Sequence, residues 1–456
     1  MRSNRIVLIV AILASFIAFV DGTIVNVALP SIERDLGGAV ALQQWVVDAY
    51  LLTLGALILV AGSLSDKYGR IRVMRTGLVG FAVTSLLAAF APNGEFLITA
   101  RALQGAAAAL LVPSSLALLT STFKGPALSK AIGSWTAWTG LAFLIGPLVG
   151  GTLVDTLGWR WVFGIVVIPT VVAVALTMAV PPEVRPPASS RTRLDVVGAC
   201  LAAVGLGGPV FALIEGQQIG FASPVVIIVG VLGVIFLISF FVWESRVEQP
   251  MLPLGLFRLR SFAVGNLATV GIYAAIGLGP VLITLTNQEI GRLPATFSAL
   301  VTLPVPVFTV LLAGRFGALA GKYGPRLFMT IGPLLVAAGF LLMLTTREPL
   351  NVWSQIIPGM VLFGFGVAVT VAPLTSTVLS EIPEGESGIA SAVNNAVSRV
   401  AGLVAVAFIG VILDGAISIA GFHRGIVVIA ILLLLSSAVS LVGLSDHRKA
   451  NDGAVH

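Results

Sequence analysis

The 456-residue chain is 57% hydrophobic and only 10% charged, with a mean hydropathy of +1.05 and a net charge of +6. A water-soluble chain carries about a quarter charged residues, so the composition argues against a soluble enzyme. The lone cysteine, Cys200, excludes an intrachain disulfide and a cysteine-rich metal site, and His423, His447 and His456 show no metal-ligand spacing.

Taken in chain order, apolar runs broken by charge, Pro and Gly predict fourteen membrane-spanning helices, a crossing taking about 20 residues. Six are expected at 5–29, 41–64, 73–91, 94–122, 131–154 and 160–180, then two at 194–215 and 223–243. The last six are expected at 261–287, 296–314, 327–346, 353–379, 388–414 and 424–444. The basic, apolar N-terminus has the outline of a signal peptide, but apolar character resumes past Asp21 through "TIVNVALP", so it reads as a retained first span.

An even number of spans puts both termini on one side, and lysine and arginine say which. With the N-terminus in the cytoplasm, the outer segments hold only Arg34, Arg160, Arg292, Arg347 and Arg424 of the 26 basic residues, and Arg101 and Arg399 fall within spans. The rest are cytoplasmic. The positive charge is therefore a topology signal spread over short loops, and no nucleic-acid partner is expected.

"GSLSDKYGRIRVM" (62–74) and "GALAGKYGPRLFM" (317–329) repeat Gly, Leu, Lys, Tyr, Gly and Met at a constant offset. Each copy joins two spans. The offset leaves room for six helices and two more, so the expected domains are 1–180, a first six-helix half, 181–260, a linker with two inserted spans, and 261–456, a second half with a short cytoplasmic tail. Transporters built from such repeats hold their substrate between the halves and rock the halves about it.

The motifs resemble the fourteen-helix drug:proton antiporter branch of the major facilitator superfamily. The similarity rests on "DGTIVNVALP" in the first span, "GSLSDKYGRIRVM" after the second, "RALQGAAAALLVPSS" in the fourth and "AFLIGPLVGGTL" in the fifth. "FFVWESRVEQPMLPLGLFRLRSF" follows the insert. The resemblance implies an all-α major facilitator fold, proton-coupled export of hydrophobic and often cationic small molecules, and protons as coupling ion with no other cofactor. It also implies a multi-pass location in a bacterial cell membrane, among lipids, as a monomer. Export of an endogenous amphipathic metabolite, siderophore or lipid remains an alternative, and a scaffold or sensor role a weaker one. "GALAGKY" fails the spacing of a phosphate-binding loop, which argues against an ATP-driven pump.

Charges inside spans are costly and mark functional hypotheses. Asp21, Asp48 and Arg101 sit at one depth, roughly 10–12 Å below the outer surface at 1.5 Å per residue, and are expected to form one buried cluster. The alternative is a permanent ion pair that fixes helix packing. The family resemblance gives proton-coupling roles to Asp21 and Arg101, while Asp48 stands where many relatives lack a charge. Ala142, Gly146 and Gly150 recur at steps of four, with Pro147 and Gly151 beside them. That spacing allows close helix approach, and the resemblance makes the stretch an antiport gate. The resemblance also assigns Asp66 and Arg70, with Lys67 and Gly69, to a conformational latch that the second copy, with Gly321 and Pro325, has lost. Asn26, Gln104, Trp138, Tyr273, Asn394 and Arg399 are candidates for the substrate cavity, and Glu289 and Asp414 for acids at its rim.

Overall fold

The computed structural model describes residues 2–123, 125–180, 195–248, 250–382, 387–414 and 417–444. Its described residues form helices joined by short turns, and fourteen helical stretches are long and apolar enough to cross a membrane. These spans are numbered 1 to 14 in chain order. The first six are Asn4–Leu36, Ala39–Ile58, Arg70–Ala89, Gly94–Thr122, Trp138–Thr156 and Arg160–Met178, followed by Val196–Ile219 and Pro224–Glu244. The second set is Arg260–Ile290, Ala295–Tyr323, Pro325–Thr345, Val352–Leu379, Ile389–Leu413 and Ile419–Gly443.

Local chemistry sets where several of these begin and end. Asn93, Asp195 and Ser418 precede spans 4, 7 and 14, and each side chain accepts a hydrogen bond from the backbone N–H three residues on. These bonds satisfy amides that the first helical turn leaves open. The repeated basic turn is the same structure in both copies. Gly69 (φ 94°, ψ 133°) and Gly324 (φ 92°, ψ 152°) each end one helix and start the next. Only glycine enters that region without steric cost. The preceding Lys67 and Lys322 each lie over the following tyrosine ring, at 5.4 and 5.2 Å.

The same pairings recur in the two six-helix halves. Span 1 packs on 4, 5 and 6, span 4 on 2 and 3, and span 3 on 6; spans 9 to 14 repeat each of these contacts in order. The halves meet through span 2 against 13, span 5 against 10, and span 1 against 9. That is the parallel-repeat architecture expected from the offset of the two turns. Spans 7 and 8 form a hairpin laid against spans 2 and 13. Their backbones come close because a Cβ on Gly208 would lie 2.6 Å from Gly233 Cα. Span 8 is mostly exposed, and its outward valines, isoleucines and phenylalanines suit lipid rather than water.

Alternation of the spans defines two ends of the molecule. The near end carries the start of span 1 and both repeated turns; the far end carries the turn between spans 1 and 2.

Candidate functional site: two buried acids between and within the halves

Asp21 and Arg101 form a buried ion pair, Oδ2 to Nη1 at 2.6 Å, with side chains 0% and 2% exposed. The pair is held on all sides. Gln104 Nε2 donates to Asp21 Oδ1 at 2.9 Å and to Ser85 Oγ at 2.9 Å, while Arg101 Nη1 also donates to Gln104 Oε1 at 2.6 Å. Arg101 Nε donates to Val46 O at 2.8 Å, and the guanidinium carbon lies 4.3 Å from the centre of the Tyr50 ring. Tyr50 in turn donates to Ala18 O. Spans 1, 2, 3 and 4 are thus tied by one satisfied network inside the first half. An isolated charge at that depth would cost several kcal/mol.

Asp48 does not join the expected cluster. It is 0% exposed, and neither carboxylate oxygen has a hydrogen-bond partner among the described residues. What separates it from the other two is its angle around the helix. Val46 and Tyr50, four residues apart, present one face of span 2 to Arg101; Asp48, two residues from each, is turned about 200° away at about 100° per residue. Asp48 shares its face with Gln44 and Gly55, one turn before and two turns after it. Gln44 Nε2 donates to Val406 O and Ala407 O of span 13 at 3.3 and 2.8 Å. A Cβ on Gly55 would lie 3.7 Å from Arg399 Cβ, also on span 13. The unpartnered acid therefore lies on the face of span 2 that meets the other half.

Span 5 seals two different surfaces. A Cβ on Gly146 would come within 2.1 Å of Thr23 Oγ1, and one on Gly150 within 2.8 Å of Ile24 O, so that face packs on span 1 together with the fully buried Ala142. Pro147 lies inside the helix, which continues past it to Thr156. Gly151 looks the other way: its Cβ would lie 2.6 Å from Thr296 Cα and 2.8 Å from Ala295 O, at the start of span 10. One turn on, Asp155 accepts from Ala295 N at 3.0 Å and Thr296 N at 2.8 Å. Sequence reasoning passed over Asp155, although an acid one turn after a glycine pair and a following Pro-led helix start ("LPATF") carried the signal.

These bonds share one location. Among the described residues, every hydrogen bond between the halves lies toward the far end: Gln44 to span 13, Asp155 to span 10, and Gln288 Nε2 to Val27 O at 3.0 Å. The far end is closed. A Gly151→Val substitution is expected to strain that seal by about 1–3 kcal/mol, shifting the closed-to-open ratio by roughly 5- to 150-fold. The measurement is labelling of an Asn26→Cys reporter, in a Cys200→Ser background, by an impermeant thiol reagent added at the far side. Faster labelling is expected; an unchanged rate would end this reading of Gly151.

The remaining candidates separate. Arg399 is half-buried on span 13, with its guanidinium carbon 5.2 Å from the ring centre of Phe19 on span 1. Phe19 also packs on Phe143 of span 5 at 5.6 Å. These three bring a cation and two aromatic rings together between the halves. Gln104 is consumed by the Asp21 network and does not line a cavity. Asn394 donates to Asn266 Oδ1 and Thr269 Oγ1, fastening span 13 to span 9 within the second half. Asn26 and Tyr273 are half-buried on spans 1 and 9, and Trp138 is exposed on span 5. Glu289 and Asp414 lie at the far end, half-buried and exposed respectively. The Asp66 side chain lies outside the described residues, and the latch with it; Lys67, Gly69 and Arg70 stand at the near-end turn.

A family model described as Major Facilitator Superfamily matches residues 11–406. The chain belongs to that superfamily. Among curated relatives, this facilitator is 34% identical over 421 residues to "Puromycin resistance protein pur8" of Streptomyces alboniger, spanning 90% of this chain and 82% of that one. It is 31% identical over 415 residues to "Multidrug resistance protein Stp" of Mycobacterium tuberculosis (strain CDC 1551 / Oshkosh), spanning 90% and 76%. Among solved structures, a peptide transporter POT in complex with sulfate superposes with a TM-score of 0.71 over 97% of this chain and 94% of that one, at 16% identity. That last likeness is one of fold. The facilitator is a multi-pass transport protein whose relatives confer drug and antibiotic resistance, and it is not an enzyme.

Proposed function

We propose that this facilitator is a proton-coupled antiporter that exports hydrophobic small molecules by alternating access. The observation that carries the reading is Asp48, a fully buried carboxyl group on the seam between the halves with no hydrogen-bond partner among the described residues. An ionised carboxylate left there without a partner would be very costly. Opening that seam would wet Asp48 and let it lose or gain its proton. Proton binding and the position of the halves are then linked. Asp21 and Arg101, locked together, hold the first half rigid while it rocks.

The lysines and arginines of the sequence concentrate in the near-end segments, which supports a cytoplasmic near end; on that reading the arrangement described is inward-facing. The chain acts as a monomer in the cell membrane. The relatives' names support drug-like cargo. A second reading concerns charge: Arg399, against Phe19, puts a cation beside the space between the halves, which favours neutral or anionic amphipathic molecules over cations.

The test is transport by the purified protein in proteoliposomes with an imposed pH gradient and no ATP, using puromycin and two hydrophobic dyes of opposite charge. Gradient-driven accumulation that collapses with a protonophore is expected, and Arg399→Gln should move the preference toward the cationic dye. Transport indifferent to the gradient would refute proton coupling. An unchanged dye preference in Arg399→Gln would refute the second reading.

A further inference from the structure

Two acids stand apart from the transport seam, at the near end of the inserted hairpin. Asp195 caps span 7: its Oδ1 accepts from Gly198 N at 2.8 Å, and Trp243 Nε1 donates to Oδ1 and Oδ2 at 2.9 and 3.0 Å. Glu244, the last residue of span 8, is only 3% exposed, and its Oε2 accepts from Leu252 N at 2.9 Å. Its Oε1 is buried with no hydrogen-bond partner among the described residues. That oxygen is aimed at Asp195. A Cβ built on Gly198 would lie 2.8 Å from Glu244 Oε1 and 2.5 Å from Asp195 Oδ2, so both oxygens crowd one point beside that glycine.

Two ionised carboxylates in such a space repel strongly, and pairs of this kind settle by holding one proton between them. The groups that face Glu244 are Asp195 from span 7 and the Met251 and Leu252 amides from the linker. Arg246 and Glu248, in the turn after span 8, are exposed. Among the described residues neither acid has an ion-pair partner. Nothing described there supplies the positive charge that two carboxylates would need.

We propose that Asp195 and Glu244 are a proton-binding site distinct from the transport seam, one proton shared by two carboxyl groups. The O–H of one acid donates to the facing oxygen of the other. The outer oxygens stay free to accept from Gly198, Trp243 and Leu252. The site fastens both ends of the inserted hairpin to the linker that leads into span 9. That linker matters for shape, because Met251 and Leu252 help to wall an apolar groove of about 580 Å³ that also borders Phe240, Val270, Val400 and Leu432. Loss of the proton would set two negative charges against each other behind that wall and loosen it. The proposal stands whether or not the seam acid Asp48 couples transport.

The experiment is a pH titration of the full-length protein in lipid nanodiscs, followed by infrared difference spectroscopy in the carbonyl-stretch region of protonated carboxylic acids. Glu244→Gln keeps the acceptor for Leu252 N and copies the shape of the protonated acid; Asp195→Asn keeps an acceptor for Gly198 N. Each variant is expected to remove the same single-proton band from the parent spectrum, and the double variant should remove no more. Two separate bands that add in the double variant, or a band that survives Glu244→Gln, would overturn the proposal. So would a parent band that disappears when Na⁺ or K⁺ is raised at fixed pH, since the pair would then be a cation site. If Asp195→Asn does not fold, the Glu244→Gln spectrum alone decides between loss and survival of the band.

Discussion

Asp21→Ala is expected to destabilise the purified protein by about 3–5 kcal/mol, the usual effect of removing one partner from a buried ion pair. Arg101 would keep Val46 O, Gln104 and the Tyr50 ring, but it would sit at 1% exposure with no counter-charge. Thermal unfolding of the variant, with transport measured at a temperature where it is still folded, is the measurement. The paired variant Asp21→Asn with Arg101→Gln should recover part of the loss, because it removes the stranded charge along with its partner. Measured with the single variants Asp21→Asn and Arg101→Gln, it closes a cycle that gives the coupling energy of the pair. A melting temperature unmoved by Asp21→Ala would show that the pair is not a lock, and would return Asp21 to the role of proton carrier that its motif suggests.

The second large effect belongs to Asp48 and has the opposite character. Asp48→Asn keeps the volume and the polarity of a neutral acid, so its melting temperature is expected to stay close to that of the parent. The proton it would carry is gone. Transport driven by an imposed pH gradient is therefore expected to fall by about 5- to 150-fold, the range of a coupling free energy of about 1–3 kcal/mol, while exchange of substrate down its own gradient persists. Full gradient-driven transport in Asp48→Asn would remove Asp48 as the coupling site. The two variants thus separate a structural acid from a working one: the first loses stability, the second loses coupling at constant stability.

Much of the fold was legible in the chain itself, for a physical reason. A bilayer crossing needs a long apolar helix, and that demand writes itself as uninterrupted hydropathy. All fourteen expected spans overlap those observed. The misses were at ends: span 1 runs to Leu36 and the helix of span 10 to Tyr323, well beyond the apolar stretches. Hydropathy reports where lipid stops, whereas backbone hydrogen bonding carries a helix on into polar sequence such as "SIERDL". The site was legible in part. Asp21 with Arg101, and the small-residue face of span 5, were found where expected. Gln104 was assigned to a cavity but belongs to the ion-pair network, since its type and depth say nothing of which neighbour reaches it first.

By itself, then, the sequence determined the number of spans, the duplication and the two-helix insert, because all of these depend on position along the chain. Angle around a helix relative to its neighbours is a property of packing. The tertiary structure alone decided that Arg101 meets Val46 and Tyr50 while Asp48, between them in sequence, turns to the other half. Packing likewise set Asp155 on the start of span 10 and brought Asp195 and Glu244 to one point from opposite ends of the hairpin.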